Sequence, residues 1–566
     1  MASPWTGYSL SNRSGATTQQ GQVMDSTLSD QLLSRLDCPW QYHGSLRNME
    51  SMICRHLLHH PALAALVVCS FLQTSRADTR NVVLFFVDDM GWTDLGCTGS
   101  DLYETPNIDA LAENGVRFTS GYAACTVCSP SRAALLTGQS PARLHLTDFI
   151  PGHPFVNTPL SMPEWIKVLK KEHLTLPELL KPHSYRSVHL GKWHLAERNG
   201  YTKGGQDDPD PDNYPQAHGF DINIGGNERG APASYFWPYA KGKTLEDRKS
   251  NSIYATLPDH GKSDEELEGE YLTDRLAEEA EILIDGFAES EQPFFMNFWF
   301  YNVHTPIQGR PDLVEKYEAK LQENPDRKHT NAGYAAMVES VDEAVGRVIA
   351  KLNEHDLEKD TLIVFTSDNG GLKPQATDNT PIRQGKGGIY EGGIRVPFIV
   401  RLPDGGASGV LCHEPVITMD LLPTIMEALD LDLPENVAAV QDGRSLLPLI
   451  RDPRAETEPR SLYWHYPHYH SMGAQPYSAI RKGGLKMIEV IGQNRLEVYD
   501  LNSDLHENNN LVNDDLELTR ALYTELANWR NSVGSQMPTR NPLFNPTQPT
   551  GVDRGGEIRI AAPLRE

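Results

Sequence analysis

Residue types able to do chemistry gather at a few points of the sequence. Cys128-Ser129-Pro130-Ser131-Arg132, followed by AALLTG over 133–138, sets a cysteine two residues before a proline and an arginine two residues after it, at the start of an amphipathic helical pattern. Pro130 suits a first helical turn, where its missing N–H costs nothing, and Ser129 or Ser131 is expected to cap free amides. A helix N-terminus favours anions and activates a thiol. Cys128 is therefore either a reactive group facing an anionic substrate or an ordinary buried thiol near a cap. Cys125 and Cys128 also have the spacing of a redox or zinc pair, but no second pair and no thioredoxin-like context accompany them.

Four further segments carry polar residues directly after an apolar run. NVVLFFV (81–87) ends in Asp88-Asp89, and SYRSVHL (184–190) in Gly191-Lys192-Trp193-His194. PFFMNFWFY (293–301) ends in Asn302-Val303-His304, and TLIVFTS (361–367) in Asp368-Asn369-Gly370-Gly371. Near-continuous apolar runs predict strands buried on both faces, with helical patterns over 105–114, 174–181, 272–286 and 333–354 between them. The fold class is thus α/β, a mostly parallel central sheet flanked by helices. Ligands bind at the C-terminal edge of such a sheet, so four separate segments deliver Asp, Asp, Lys, His, His, Asp and Asn to one rim. Residues 196–262, rich in Gly, Pro, Asp and Asn, are expected to form long surface loops of the kind that set selectivity. After about 455 short alternating runs and one helix (518–533) predict a small C-terminal α+β domain with an antiparallel sheet, spanning 456–535, and then an extended tail over 536–566.

The chain of 566 residues is long enough for more than one domain, and its net charge of −25 argues against nucleic acid and anionic membranes as partners. An anionic ligand must then find a local positive site. LAALVVCSFL (63–72), preceded by Arg55 and several histidines and followed by Ser75-Arg76-Ala77, has the layout of a signal peptide and is too short for a stable membrane span. Residues 1–77 are expected to be removed on export to the periplasm or outside the cell, with translation starting at Met49 or Met52 and residues 78–455 forming the catalytic domain. Of seven cysteines, Cys97, Cys125, Cys128 and Cys412 would remain, so at most one disulfide joins the other three if Cys128 is used chemically.

The Cys128–Arg132 run with Leu136-Thr137-Gly138 resembles the signature of type I sulfatases. The likeness covers most of 80–510. It includes Asp88-Asp89, Thr105-Pro106-Asn107, Gly191-Lys192-Trp193-His194, His218-Gly219-Phe220-Asp221, His304-Thr305-Pro306, Ser367-Asp368-Asn369-Gly370, Lys386-Gly387 and Glu391 through Pro397. Ala196, standing where a glycine often follows, is a mild departure. The resemblance implies an alkaline-phosphatase-like α/β domain and a small C-terminal domain. It also implies that a maturation enzyme oxidises Cys128 to formylglycine. The aldehyde hydrates, one hydroxyl attacks the sulfate sulfur, and loss of a proton from the second expels sulfate. Asp88, Asp89, Asp368 and Asn369 are hard oxygen donors suited to Ca²⁺, with Mg²⁺ as the alternative. Residue 128 completes the set, for which a diol oxygen suits better than a thiolate. Arg132 is implied to hold the hydroxyl and the carboxylates, Lys192 and Lys386 to bind sulfate, His194 to act as base, and His304 or Lys386 as acid.

The function implied is a sulfuric ester hydrolase acting on sulfated carbohydrates and on small aryl sulfates. Arg229, Tyr235, Trp237 and the Asp148–His153 segment are candidate sugar contacts. The alternatives are a phosphodiesterase or phosphonate monoester hydrolase on the same scaffold, and a degenerate sulfated-glycan-binding protein.

Overall fold

NVVLFFV forms strand β1 (Asn81–Val87), every residue of which is buried. Val83, Phe85 and Val87 pack into one core while Val82, Leu84 and Phe86 pack into another. A strand apolar on both faces must lie inside a sheet covered on both sides. Strands β2 (Val116–Phe118), β3 (Arg186–Gly191), β4 (Ile222–Ile224), β5 (Phe294–Trp299), β6 (Thr361–Ser367), β7 (Phe398–Arg401) and β8 (Val410–Cys412) complete it. The eight strands run in the order β8-β2-β7-β6-β1-β5-β3-β4. The four strands expected to carry the polar segments are therefore adjacent and parallel, in the order β6-β1-β5-β3. β7 runs antiparallel to both of its neighbours. The structure, a computed structural model, describes residues 80–197, 213–241, 244–246, 253–290, 292–403, 406–553 and 558–560. The signal segment and the two candidate start methionines lie outside the described residues.

One face of the sheet is covered by α1 (Pro106–Glu113), α3 (Leu272–Ser290), α4 (Pro311–Glu323) and α5 (Ala332–Glu354), the other by α2 (Cys128–Thr137) and α6 (Leu421–Ala428). In α5, Tyr334, Val338, Val341, Val345, Val348 and Leu352 recur every three or four residues and are buried. Its N-cap Asn331 accepts a hydrogen bond from the Tyr334 amide at 3.0 Å, a cap that contributes about 1 kcal/mol.

The C-terminal part forms an antiparallel sheet of β9 (Ser461–Tyr466), β10 (Tyr477–Lys482), β11 (Leu485–Val490) and β12 (Arg495–Asp500) in chain order. Helix α7 (Leu516–Ser532) covers one face through Leu522 and Leu526. The other face, with Leu462, Trp464, Tyr466 and Ala479, packs on Tyr122, Val127 and Ile394 beside the start of α2. Buried Lys486 of β11 reinforces that junction, donating to Glu391 at 2.9 Å and lying 2.8 Å from Glu507. All described residues fall within one compact unit.

In its fold the structure departs from the sequence expectations at two places. β4 lies within 196–262, which was expected to be all loop; three residues before a Gly-Gly pair are too short to show a strand period. The segment from 536 is extended but docked: Thr539–Arg540 pairs with Leu160–Ser161, and Gly551–Asp553 with Phe155–Val156. Cys97, Cys125, Cys128 and Cys412 are free thiols.

Candidate active site

Strand register builds the rim. Val87 lies opposite Ser367, so Asp88 and Asp368 emerge side by side, and Gly191 lies opposite Trp299, setting Lys192 at the same height. Backbone bonds extend the pairing beyond the strands: the Asp368 amide donates to Val87 at 3.0 Å and the Val303 amide to Asp88 at 2.8 Å. Asp89 adopts a left-handed φ of +63°, a conformation tolerated by Asp. The turn is held from behind by buried Asp94, whose Oδ2 accepts from the Gly91 amide at 2.8 Å and the Tyr334 hydroxyl at 2.6 Å. Gly191, at φ +91°, admits no side chain, since a Cβ would fall 2.0 Å from the Trp299 carbonyl oxygen.

Cys128 begins α2 as expected, but the capping serines do not cap. Val127 is the N-cap residue and makes no side-chain cap bond. Ser131 Oγ instead ties back to the Cys125 backbone, and Ser129 Oγ donates to the His194 carbonyl at 2.9 Å while accepting from the Ile150 amide at 3.1 Å. Both hydroxyls are spent on orienting loops around the cysteine.

Charges surround that cysteine in close pairs. Lys192 Nζ donates to Asp88 Oδ2 at 2.6 Å, and Lys386 Nζ to both oxygens of Asp89 at 2.6 and 2.8 Å. The Cys128 sulfur lies 3.4 Å from Lys386 Nζ and 3.6 Å from Asp88 Oδ1. Arg132 forks onto Asp368 Oδ2 through Nε at 3.0 Å and Nη2 at 2.7 Å, and Nη1 donates to the Lys192 carbonyl at 3.0 Å. Its guanidinium lies over the rings of Phe86 and Trp299, at 5.5 and 5.1 Å, so it is fixed by stacking as well as by charge.

The donor set fits a hard cation. Oxygens of Asp88 and Asp89, the Cys128 sulfur and a His304 nitrogen lie within 4.8 Å of one another. Asn369 donates Nδ2 to Asp89 at 2.8 Å while its buried Oδ1 has no hydrogen-bond partner, an orphaned acceptor whose desolvation is uncompensated. Burial, with Asp368 and Asp89 adding to it and Lys192 opposing it, raises Asp88 to about 8, the electrostatic demand that a bound cation meets. Burial pushes Asp89 upward too, but Lys386, His304 and Lys192 together outweigh it and hold that carboxyl below the usual range. Asp368, named among the metal residues, stands outside the tight group. Its Oδ1 accepts from the Asp89 amide at 3.1 Å and its Oδ2 is taken by Arg132.

The two expected histidines are both here and neutral. His194 Nε2 is 2.6 Å from the Ile150 carbonyl, so that nitrogen carries the proton, and buried Nδ1, with no partner, carries the lone pair. His304 Nδ1 donates to the Thr305 carbonyl at 2.8 Å, leaving the lone pair on Nε2, 3.7 Å from Asp89 Oδ2. Burial and then the nearby lysines push His304 down to about 3 and His194 well below its ordinary value. Burial likewise lifts the Cys128 thiol to about 12, so the encoded side chain is a protonated thiol.

A cleft of about 440 Å³ opens over Asp89, Cys128, His194, His304 and Lys386. Phe149, Ile150 and His153 of the Asp148–His153 segment line it. Tyr235 and Trp237 do not: Tyr235 is fully buried, its hydroxyl bonded to the carbonyls of Tyr301 and His304 at 2.6 and 2.8 Å, and Trp237 packs on the core below. Tyr235 therefore supports the His304 turn and offers no stacking face, a correction to the sugar-contact expectation. Arg229 is half-buried beside Glu228, at 3.9 Å. The sequence reading missed His470, Ser471 and Met472, which reach the cleft from the C-terminal sheet. The signal that marked them is the cluster of His465, His468 and His470 at the end of one strand pattern.

The sulfatase family profile matches residues 80–431, and the profile of the N-sulphoglucosamine sulphohydrolase C-terminal region matches 385–532. A sulfatase of Formosa agariphila is 30% identical over 544 residues, covering 86% of this chain and 94% of that protein. The N-acetylgalactosamine-6-sulfatase of Sus scrofa is 32% identical over 400 residues, 69% of each chain. The crystal structure of Ps i-CgsB in complex with k-i-k-neocarrahexaose aligns with a TM-score of 0.64 at 27% identity, over 80% of this chain and 93% of that one. With the rim, the cation-fitting donors and these matches in hand, the chain belongs to the sulfatase family and is a sulfuric ester hydrolase.

Proposed function

We propose that the protein is an exported, Ca²⁺-dependent sulfatase of sulfated carbohydrates in which Cys128 is matured to formylglycine. One observation carries the proposal: the first side chain of α2 faces Asp88 and Lys386 at the floor of an open cleft, with two neutral histidines on either hand. The division into a catalytic domain (78–455), a C-terminal domain (456–535) and a tail (536–566) belongs to the same proposal, as does removal of 1–77. Relatives that bind or cleave sulfated sugars support the substrate class.

Asp88, Asp89, Asp368, Asn369 and the oxidised residue 128 would hold the ion; when bound, Ca²⁺ makes a hydroxyl more acidic and neutralises sulfate oxygens. Lys192 and Lys386 bind the remaining sulfate charge and stabilise it as the ester bond stretches. Arg132 holds Asp368 in orientation through its fork onto Oδ2. His304 Nε2 faces the cleft and delivers a proton to the departing alcohol oxygen; the arriving sulfate anion favours the protonated ring that this requires. His194 Nδ1, its other nitrogen anchored on Ile150, takes the proton whose loss releases sulfate.

The experiment is turnover of 4-nitrophenyl sulfate, an aryl phosphate diester and defined sulfated oligosaccharides by protein matured in a competent host. Release of sulfate with clear preference over the diester is expected, and the reverse preference would overturn the proposal.

A further inference from the structure

One wall of the cleft comes from the C-terminal sheet. The connection between β9 and β10, residues 467–476, brings His470 into it, so that His470 lines the same cleft as Cys128 and Lys386. The Met472 amide donates to His470 Nδ1 at 3.2 Å. A ring nitrogen that accepts is unprotonated, so the proton sits on Nε2. The Nδ1 edge is pressed against Gly387, where a Cβ would fall 2.5 Å from that nitrogen and where φ is +81°. Phe149 and His153 wedge the ring, at centroid distances of 5.8 and 5.0 Å. Only 4% of His470 is exposed, and burial, then His153 and Lys386, keeps it uncharged. The result is a neutral imidazole in a fixed orientation. It contacts the residue after the sulfate-binding Lys386, and its one N–H lies on the edge away from Gly387. None of the steps of sulfate transfer uses it.

We propose that His470 reads the alcohol half of the ester, donating its Nε2–H to a ring or hydroxyl oxygen of the sugar that carries the sulfate. It is a specificity residue lent to the active site by the C-terminal sheet. The proposal rests on the reading of the cleft as a sulfated-carbohydrate site.

The test compares kcat/KM of the full chain for 4-nitrophenyl sulfate, which has the sulfate but no hydroxyls, and for whichever of N-acetylgalactosamine 6-sulfate and a sulfated carrageenan oligosaccharide the wild type cleaves faster. His470→Ala is expected to lower the sugar-to-aryl ratio of kcat/KM by about tenfold, the scale of one lost hydrogen bond. His470→Gln, which keeps an N–H donor, is expected to recover part of it. An unchanged ratio, whether both activities fall together or neither does, would overturn the assignment. A wild type active on the aryl sulfate and on neither sugar would overturn this inference while leaving sulfate ester hydrolysis intact. A wild type active on none of the three would overturn both.

Discussion

Lys386 Nζ stands 3.4 Å from the Cys128 sulfur while holding both oxygens of Asp89. One ammonium thus bridges the proposed nucleophile and a carboxylate proposed to hold the cation. Lys386→Ala is expected to lower kcat by about 10²–10³-fold, the usual consequence of removing one donor aimed at developing charge. Lys192→Ala, which strips Asp88 of its partner, is expected to fall in the same range. Steady-state kinetics on 4-nitrophenyl sulfate, with thermal melts to verify folding, decide the matter.

Arg132 and Asp368 are both fully buried and joined at 2.7 Å. Arg132→Ala leaves an uncompensated carboxylate in the core and is expected to cost about 3–5 kcal/mol of stability. Arg132→Lys is expected to restore only part, because an ammonium cannot fork or stack between Phe86 and Trp299. Equilibrium unfolding in urea measures both.

The proposed cation would account for the orphaned Oδ1 of Asn369. Dialysis against a chelator is expected to abolish activity, and Ca²⁺ to restore it. Asn369→Ala is expected to raise the Ca²⁺ concentration for half-activation by about 10- to 100-fold or more, since even outer-shell changes cost that much. Full activity in chelator would contradict the cation site.

Three histidines away from the cation donors bear on acid stability: burial pushes His189 and His468 down to about 3 and His465 to about 4. His189 Nδ1 accepts from Asn297 at 3.0 Å and Nε2 donates to the Gly191 carbonyl at 3.2 Å, a neutral ring with both nitrogens used. Because the unfolded ring binds a proton below about 6.5 and the folded ring only near 3, its contribution is full above that upper value and is lost as pH falls toward the lower one. Unfolding free energy is expected to drop steeply with acid across this window, and His189→Gln to flatten the slope. An equal slope in the variant would remove His189 from the explanation.

The gathering of the candidate site residues was largely legible in the sequence because they sit at strand ends. Asp88, Lys192, His304 and Asp368 each close an apolar run whose period announces a buried strand, and adjacency of those strands in the sheet did the rest. Three kinds of feature were not legible. Val116–Phe118 and Ile222–Ile224 are strands of three residues, too short to carry a period. Ser129 and Ser131 had the composition of caps, yet their hydroxyls were claimed by His194, Ile150 and Cys125 across the fold. Tyr235 and His470 are the third: an aromatic in a polar loop, expected as a sugar contact, went to the core, and a histidine that the sequence did not single out reached the cleft. Such outcomes depend on how distant segments pack, which no local spacing encodes.

Residue 128 is proposed to act as an aldehyde and not as the thiol that the gene encodes. The most direct test is the mass of the peptide containing Cys128, isolated from protein that is actively hydrolysing sulfate esters. The peptide is expected to carry CHO in place of CH₂SH, trapped by a hydrazine reagent, in proportion to specific activity. A fully active protein whose peptide is entirely thiol would contradict it.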